Sequence, residues 1–228
     1  MSNSPGLWIC IDGPDFTGKG TQTTELFKRL IMANEDNVVT YTHEPTRNAK
    51  AIKAKLKAEV GNAYGDPELM AKLYIQDRVD NERNVIRPAL TAGGIVISNR
   101  HKYSTLAYQA SQGVPIDELV TLHKEKRIGT PDITFFLFVG DHEELCERMA
   151  RTGKTGDKFE SDLAFQKLVA ANYKRLVKIA KNDPEFYGNI YPIQKERPRS
   201  RIEDVADSIW QNLEPVYKAW TERRDRIQ

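Results

Sequence analysis

Gly13-Pro14-Asp15-Phe16-Thr17-Gly18-Lys19-Gly20-Thr21 stands directly after the apolar run Leu7-Trp8-Ile9-Cys10-Ile11 and directly before a helix-like stretch at residues 22–30. Strand, glycine loop and helix in that order are what a phosphate-binding loop requires. Its glycines let the backbone approach oxygen atoms closely, its N–H groups converge, and the helix adds its positive N-terminal end. On this reading residues Gly13, Asp15, Phe16, Thr17, Gly18, Gly20 and Thr21 surround a nucleotide, and Lys19 lies along its β- and γ-phosphates. The Ser or Thr that usually follows the lysine is replaced by Gly20. Either Thr21 supplies the hydroxyl linked to Mg²⁺, or the loop is degraded.

Outward from the loop, four further apolar runs read as buried strands: residues 38–41, 95–98, 133–139 and, more weakly, 190–193. Long helix-like segments separate them, which favours right-handed crossovers and a five-stranded parallel sheet flanked by helices. The spacing predicts a helix over 67–91, opened by Pro67 and closed by Gly93-Gly94, a helix pair over 102–127, and helices over 143–150 and 159–179. A final helix is expected over 202–220, with Pro215 kinking or interrupting it. A glycine-bearing loop at 151–157 divides two helical stretches.

Bulk properties narrow the field. The 228 residues suit one domain, 1–228, with a small inserted lid at about 148–160. Lys+Arg at 34 against Asp+Glu at 32 gives a net charge of +2, so no global field argues for nucleic acid or membrane binding. Cys10 and Cys146 form neither a C-x-x-C pair nor a secreted framework and read as core thiols. No apolar run reaches the ~18 residues that span a bilayer, and no leader-like segment opens the chain, so a soluble cytoplasmic protein is expected. The four histidines show no H-E-x-x-H spacing, which argues against zinc.

Open α/β sheets collect ligands beyond the carboxyl ends of their strands. There this sequence places the loop with Lys19, then His43-Glu44-Pro45-Thr46-Arg47, then Asn99-Arg100-His101, and finally the basic stretch holding Arg148, Arg151, Lys154 and Lys158. Convergent cations suit phosphoryl transfer between nucleotides, which is catalysed by positioning and charge neutralisation.

Together with Leu73-Tyr74, Asp77-Arg78, Val85-Ile86-Arg87-Pro88-Ala89-Leu90, Ser104-Thr105-Leu106-Ala107-Tyr108-Gln109, Pro131-Asp132 and Asp157-Lys158-Phe159-Glu160, these motifs resemble the thymidylate kinases, of the nucleoside monophosphate kinase branch of P-loop proteins. The resemblance spans nearly the whole chain. It implies a three-layer P-loop kinase fold, with ATP and Mg²⁺ as donor and metal, dTMP as acceptor, and a homodimer. The apolar faces around residues 69–90 and 103–122 are candidates for its interface.

The resemblance also implies roles. Asp15 would meet the acceptor sugar's 3′-hydroxyl, the alternative being a cap on the loop's own N–H groups. Tyr74 would stack on the pyrimidine, or be ordinary helix core. Arg78, one turn along on the same face, would bind acceptor phosphate or base, or else pair with Asp77 or Glu82. Arg100 would bridge the two nucleotides' phosphates, a task for a planar, permanently charged fork. Glu44, Ser104, Tyr108 and Gln109 complete the acceptor site, although Ser104 and Thr105 could instead cap a helix. Phe16 stands where some members carry an arginine, which shifts the catalytic cations to the lid, with Arg151 and Lys154 as candidates and a solvated basic loop as the alternative.

Two departures concern charge. Asn99 replaces an aspartate that would hold Mg²⁺ through water, and His43 replaces an arginine before Glu44-Pro45. Arg197, Arg199 and Arg201 precede the last helix and are expected to be solvated. Rival functions are a kinase for dUMP, UMP or AMP, and a catalytically weak nucleotide-binding regulator.

Overall fold

Every residue of strand β1 (Leu7–Asp12) is buried, because the strand lies at the centre of a sheet covered on both faces. The computed structural model describes residues 5–57, 65–139, 147, 162–194 and 201–226. From β1 the chain enters α1 (Lys19–Ala33), edge strand β2 (Val39–His43), α2 (Lys50–Lys57) and α3 (Pro67–Asn81). A π-helical turn (Glu82–Ile86) and α4 (Arg87–Thr91) then lead into β3 (Ile95–Asn99). Next come α5 (Lys102–Ser111), α6 (Ile116–Glu125), β4 (Ile133–Phe138), α7 (Leu163–Ile179), a 3₁₀ turn (Ala180–Asn182), α8 (Pro184–Tyr187), β5 (Ile190–Gln194) and α9 (Ile202–Asp225).

All strands are parallel, in the order β2-β3-β1-β4-β5. The chain moves to one side of β1 for β2 and β3 and to the other for β4 and β5, which puts the change of direction at the carboxyl end of β1. Alternate side chains serve two cores. Leu7, Ile9, Ile11, Phe135 and Leu137 pack with Leu26 and Leu30 of α1 and with Ile209, Leu213 and Trp220 of α9. On the opposite face Cys10, Phe136 and Phe138 meet Tyr103, Leu106 and Ala107 of α5 and Val169, Tyr173 and Leu176 of α7.

The expected five-stranded α/β architecture is the observed one. α1 begins at Lys19 rather than at residue 22, because Gly18 takes a left-handed conformation (φ 83°) and turns the loop into the helix. Pro215 does not interrupt α9, which runs through it. The proline is exposed, whereas Leu213, Tyr217 and Trp220 anchor the helix in the core on either side of it. The apolar residues of α5 and α6 that were candidates for an interface, Tyr103, Leu106, Ala107 and Leu119, are used by this chain's own core. Cys146, the lid residues Arg148, Arg151, Lys154 and Lys158, and Arg197 and Arg199 lie outside the described residues.

Candidate active site

The loop between β1 and α1 sits tightly against the sheet. A Cβ at Gly13 (φ 141°) would stand 2.5 Å from the Leu137 carbonyl oxygen, so glycine is required there. Thr17 is fully buried and its hydroxyl donates to the Pro14 carbonyl at 3.0 Å. Lys19 Nζ donates to the carbonyls of Gly13 (3.0 Å) and Pro14 (2.6 Å) and lies 3.8 Å from Asp15. Gly20 and Thr21 are exposed in the first turn of α1.

Asp12, the last residue of β1, ties the neighbouring strand ends together. Its carboxylate accepts from the N–H groups of Gly13 (2.8 Å) and His101 (2.9 Å), from Ser104 Oγ (2.8 Å) and from the Tyr173 hydroxyl (2.7 Å). Arg100 follows β3 with a left-handed backbone (φ 70°), and its N–H donates to the Ile11 carbonyl at 2.9 Å. This puts the guanidinium across the rim. It donates to Ser104 Oγ (3.1 Å), forms an ion pair with Asp15, and lies 5.3 Å from the centroid of the Tyr108 ring. Asp15 also accepts from the Tyr108 hydroxyl (2.6 Å) and from Gln166 Nε2 (3.2 Å). Burial raises the Asp15 pKa, but Arg100 and Lys19 outweigh it, so the carboxyl stays below its ordinary value and is ionised at neutral pH.

Beyond Arg100 a solvent-open cleft is lined by Asp15, Glu44, Tyr74, Arg78, Arg100, Ser104, Thr105, Tyr108 and Gln109, with Pro45 and Leu56. An apolar wall with a few convergent polar groups is the usual composition of a small-molecule site. Tyr74 packs beside Ala49, Ile52 and Met70, so it is both a helix-core residue and a cleft wall. Gln109 is 2% exposed, and its Oε1 has no hydrogen-bond partner among the described residues. An unsatisfied buried acceptor on a cleft wall points to a ligand donor.

Arg78 does not pair with Asp77 or Glu82. Its Nε donates to Glu44 at 2.7 Å, and it is only 1% exposed. Glu44 also accepts from Asn81 (3.3 Å), and Asp77 accepts from the Thr46 N–H at 2.8 Å, holding the loop after β2 on α3. Burial pushes the Glu44 carboxyl up to about 7, beyond what Arg78 offsets. His43 is exposed and stacks near Tyr41, with ring centroids 6.3 Å apart. Asn99 ends β3 next to His43 in the sheet register and is half-buried.

A family model described as thymidylate kinase matches residues 11–185, which carry all of these groups. The chain belongs to the thymidylate kinase family. A thymidylate kinase of Rhodopseudomonas palustris (strain TIE-1) is 32% identical to it over 210 residues, covering 90% of this chain and 87% of that relative. One of Exiguobacterium sp. (strain ATCC BAA-1283 / AT1b) is 34% identical over 176 residues, 76% of this chain and 82% of its own. The crystal structure of thymidylate kinase from Ehrlichia chaffeensis superposes with a TM-score of 0.69 at 25% identity, covering 91% of this chain and 98% of that one.

Several residues around this thymidylate kinase family site were not anticipated: Asp12, Gln166 and Tyr173. Asp12 had a signal, an acid ending an apolar strand directly before the glycine loop. Gln166 and Tyr173, seven residues apart on α7, share a helix face among core positions, where polar groups ask for partners.

Proposed function

We propose that the cleft receives dTMP and that the glycine loop holds ATP, whose γ-phosphoryl group passes to the acceptor phosphate to give dTDP and ADP for deoxynucleotide biosynthesis. The observation that carries this reading is the junction of the two halves. Arg100 reaches from β3 to Asp15 in the glycine loop and lines the cleft, so one guanidinium serves both nucleotides. Phosphoryl transfer needs this more than it needs a base, because an acceptor phosphate is already a nucleophile.

The other roles follow from position. Lys19 turns from the Gly13 and Pro14 carbonyls to the donor phosphates, and the loop N–H groups with the α1 N-terminus complete their cradle. Tyr74 offers a flat face to the base, Gln109 Oε1 accepts from its polar edge, and Arg78 supplies donors to base or phosphate. Asp15 and Tyr108 form the wall facing the sugar, where a carboxylate suits a 3′-hydroxyl. Mg²⁺ takes a few protein oxygens together with substrate phosphates. The exposed Thr21 hydroxyl fits that demand, with Asn99 acting through water, and the ion would neutralise charge on the donor phosphates. Arg151 and Lys154 are assigned to the transferring group. A cytoplasmic homodimer is the assembly proposed; among the described residues no helix is long and apolar enough to cross a membrane.

The test is dTMP-dependent release of ADP from ATP. Arg100→Ala should lower turnover by on the order of 10³, as loss of a charge-stabilising donor does. ADP release indifferent to dTMP would refute the proposal.

A further inference from the structure

α6 sends one fully buried imidazole, His123, to the back of Arg78. His123 Nε2 lies 2.8 Å from Arg78 Nη1, and His123 Nδ1 lies 2.6 Å from the Leu119 carbonyl oxygen one turn earlier. A carbonyl only accepts and a guanidinium only donates, so Nδ1 carries the proton and Nε2 presents its lone pair to Arg78. Burial and the Arg78 charge hold the imidazole well below its ordinary pKa, which keeps this tautomer at working pH. The Phe186 ring meets it edge-on, centroids 6.3 Å apart, and fixes its plane.

Arg78 is thereby gripped around its edges. Glu44 accepts from Nε at 2.7 Å, the His101 carbonyl from Nη2 at 3.0 Å, and Thr105 Oγ1 stands 3.3 Å from both terminal nitrogens. Glu44, Thr105 and Arg78 itself line the cleft, while His123 does not. An imidazole lone pair orients a guanidinium without cancelling its charge, which a second carboxylate in the same place would do. The two N–H groups directed at Thr105 Oγ1, both at 3.3 Å, are the most weakly held, and the rotation of the planar fork decides how readily they turn to a ligand in the cleft.

We propose that His123 is a positioning residue for acceptor recognition, its Nε2 lone pair setting the orientation of the Arg78 guanidinium at the cleft wall. The inference rests on Arg78 meeting the acceptor, and the experiment separates the two. His123→Leu should raise KM for dTMP on the order of tenfold, the effect of one charge-assisted hydrogen bond, with kcat and KM for ATP nearly unchanged. His123→Gln, whose amide oxygen accepts at a similar reach, should recover most of that loss. In an Arg78→Ala background His123→Leu should add nothing further to KM.

If Arg78→Ala leaves KM for dTMP unchanged, the assignment of Arg78 fails. If Arg78→Ala raises it but His123→Leu does not, the inference about His123 fails. Equal loss in kcat and in both KM values, without rescue by Gln, would reduce His123 to a structural residue. Imidazole ¹⁵N spectra of the unmodified protein give a readout that survives misfolding of the Leu variant. An unprotonated Nε2 whose shift moves with dTMP but not with ATP is expected, and a protonated Nε2 overturns the proposal.

Discussion

Glu44 changes its charge state near neutral pH. Its folded value of about 7 stands above the ordinary 4.5, so the folded state holds this proton more tightly than the unfolded chain does. The resulting stabilisation is complete below the unfolded value and is lost as pH rises through about 7. Glu44→Gln removes it. From pH 5 to pH 8 the wild type should therefore lose more unfolding free energy in urea than the variant, by up to about 3 kcal/mol. Parallel pH profiles would contradict the assignment. At this scale the motif residues were legible, because Lys19, Asp15, Arg100, Tyr108 and Gln109 lie in short patterns whose chemistry is local. The partner of Arg78 was not: Glu44 is 34 residues away, and the adjacent Asp77 and Glu82 looked equally able. Tyr173 reaches Asp12 across 161 residues, a pairing that only the packed sheet creates.

Among elements, α9 offers the plainest test. Pro215 lies inside a continuous helix and is exposed, so it forfeits one backbone hydrogen bond with no packing of its own in return. Pro215→Ala should raise stability by about 1–3 kcal/mol, read as a higher Tm, and an unchanged or lower Tm would show that the helix is locally adapted to the proline. The periodicity of 202–220 was legible, but the outcome at Pro215 depended on Leu213, Tyr217 and Trp220 being held by the core, which the local rule ignores. The basic stretch at 148–160 is tested by function. Arg151→Ala and Lys154→Ala should each lower kcat more than they raise KM for dTMP, since cations meeting the transferring group act mainly in the transition state. Unchanged turnover in both would remove them from the chemistry.

The whole molecule brings the glycine loop and the cleft to one rim. Parallel strands with helices on both faces follow from near-continuous apolar runs separated by helical stretches, which is why the architecture could be read from the chain. The strand order could not be read in the same way, because which side of β1 each crossover takes is decided by packing between distant helices. That order sets the glycine loop beside β3 and so lets Arg100 reach Asp15. The cleft beyond it joins a flat Tyr74 wall, the buried Gln109 acceptor and the Asp15–Tyr108 wall, a combination suited to a pyrimidine deoxynucleotide. The most direct measurement is kcat/KM with ATP across dTMP, dUMP, UMP and AMP. The highest value should fall on dTMP, with the ribonucleotides lower, whereas a preference for AMP or UMP would contradict the account.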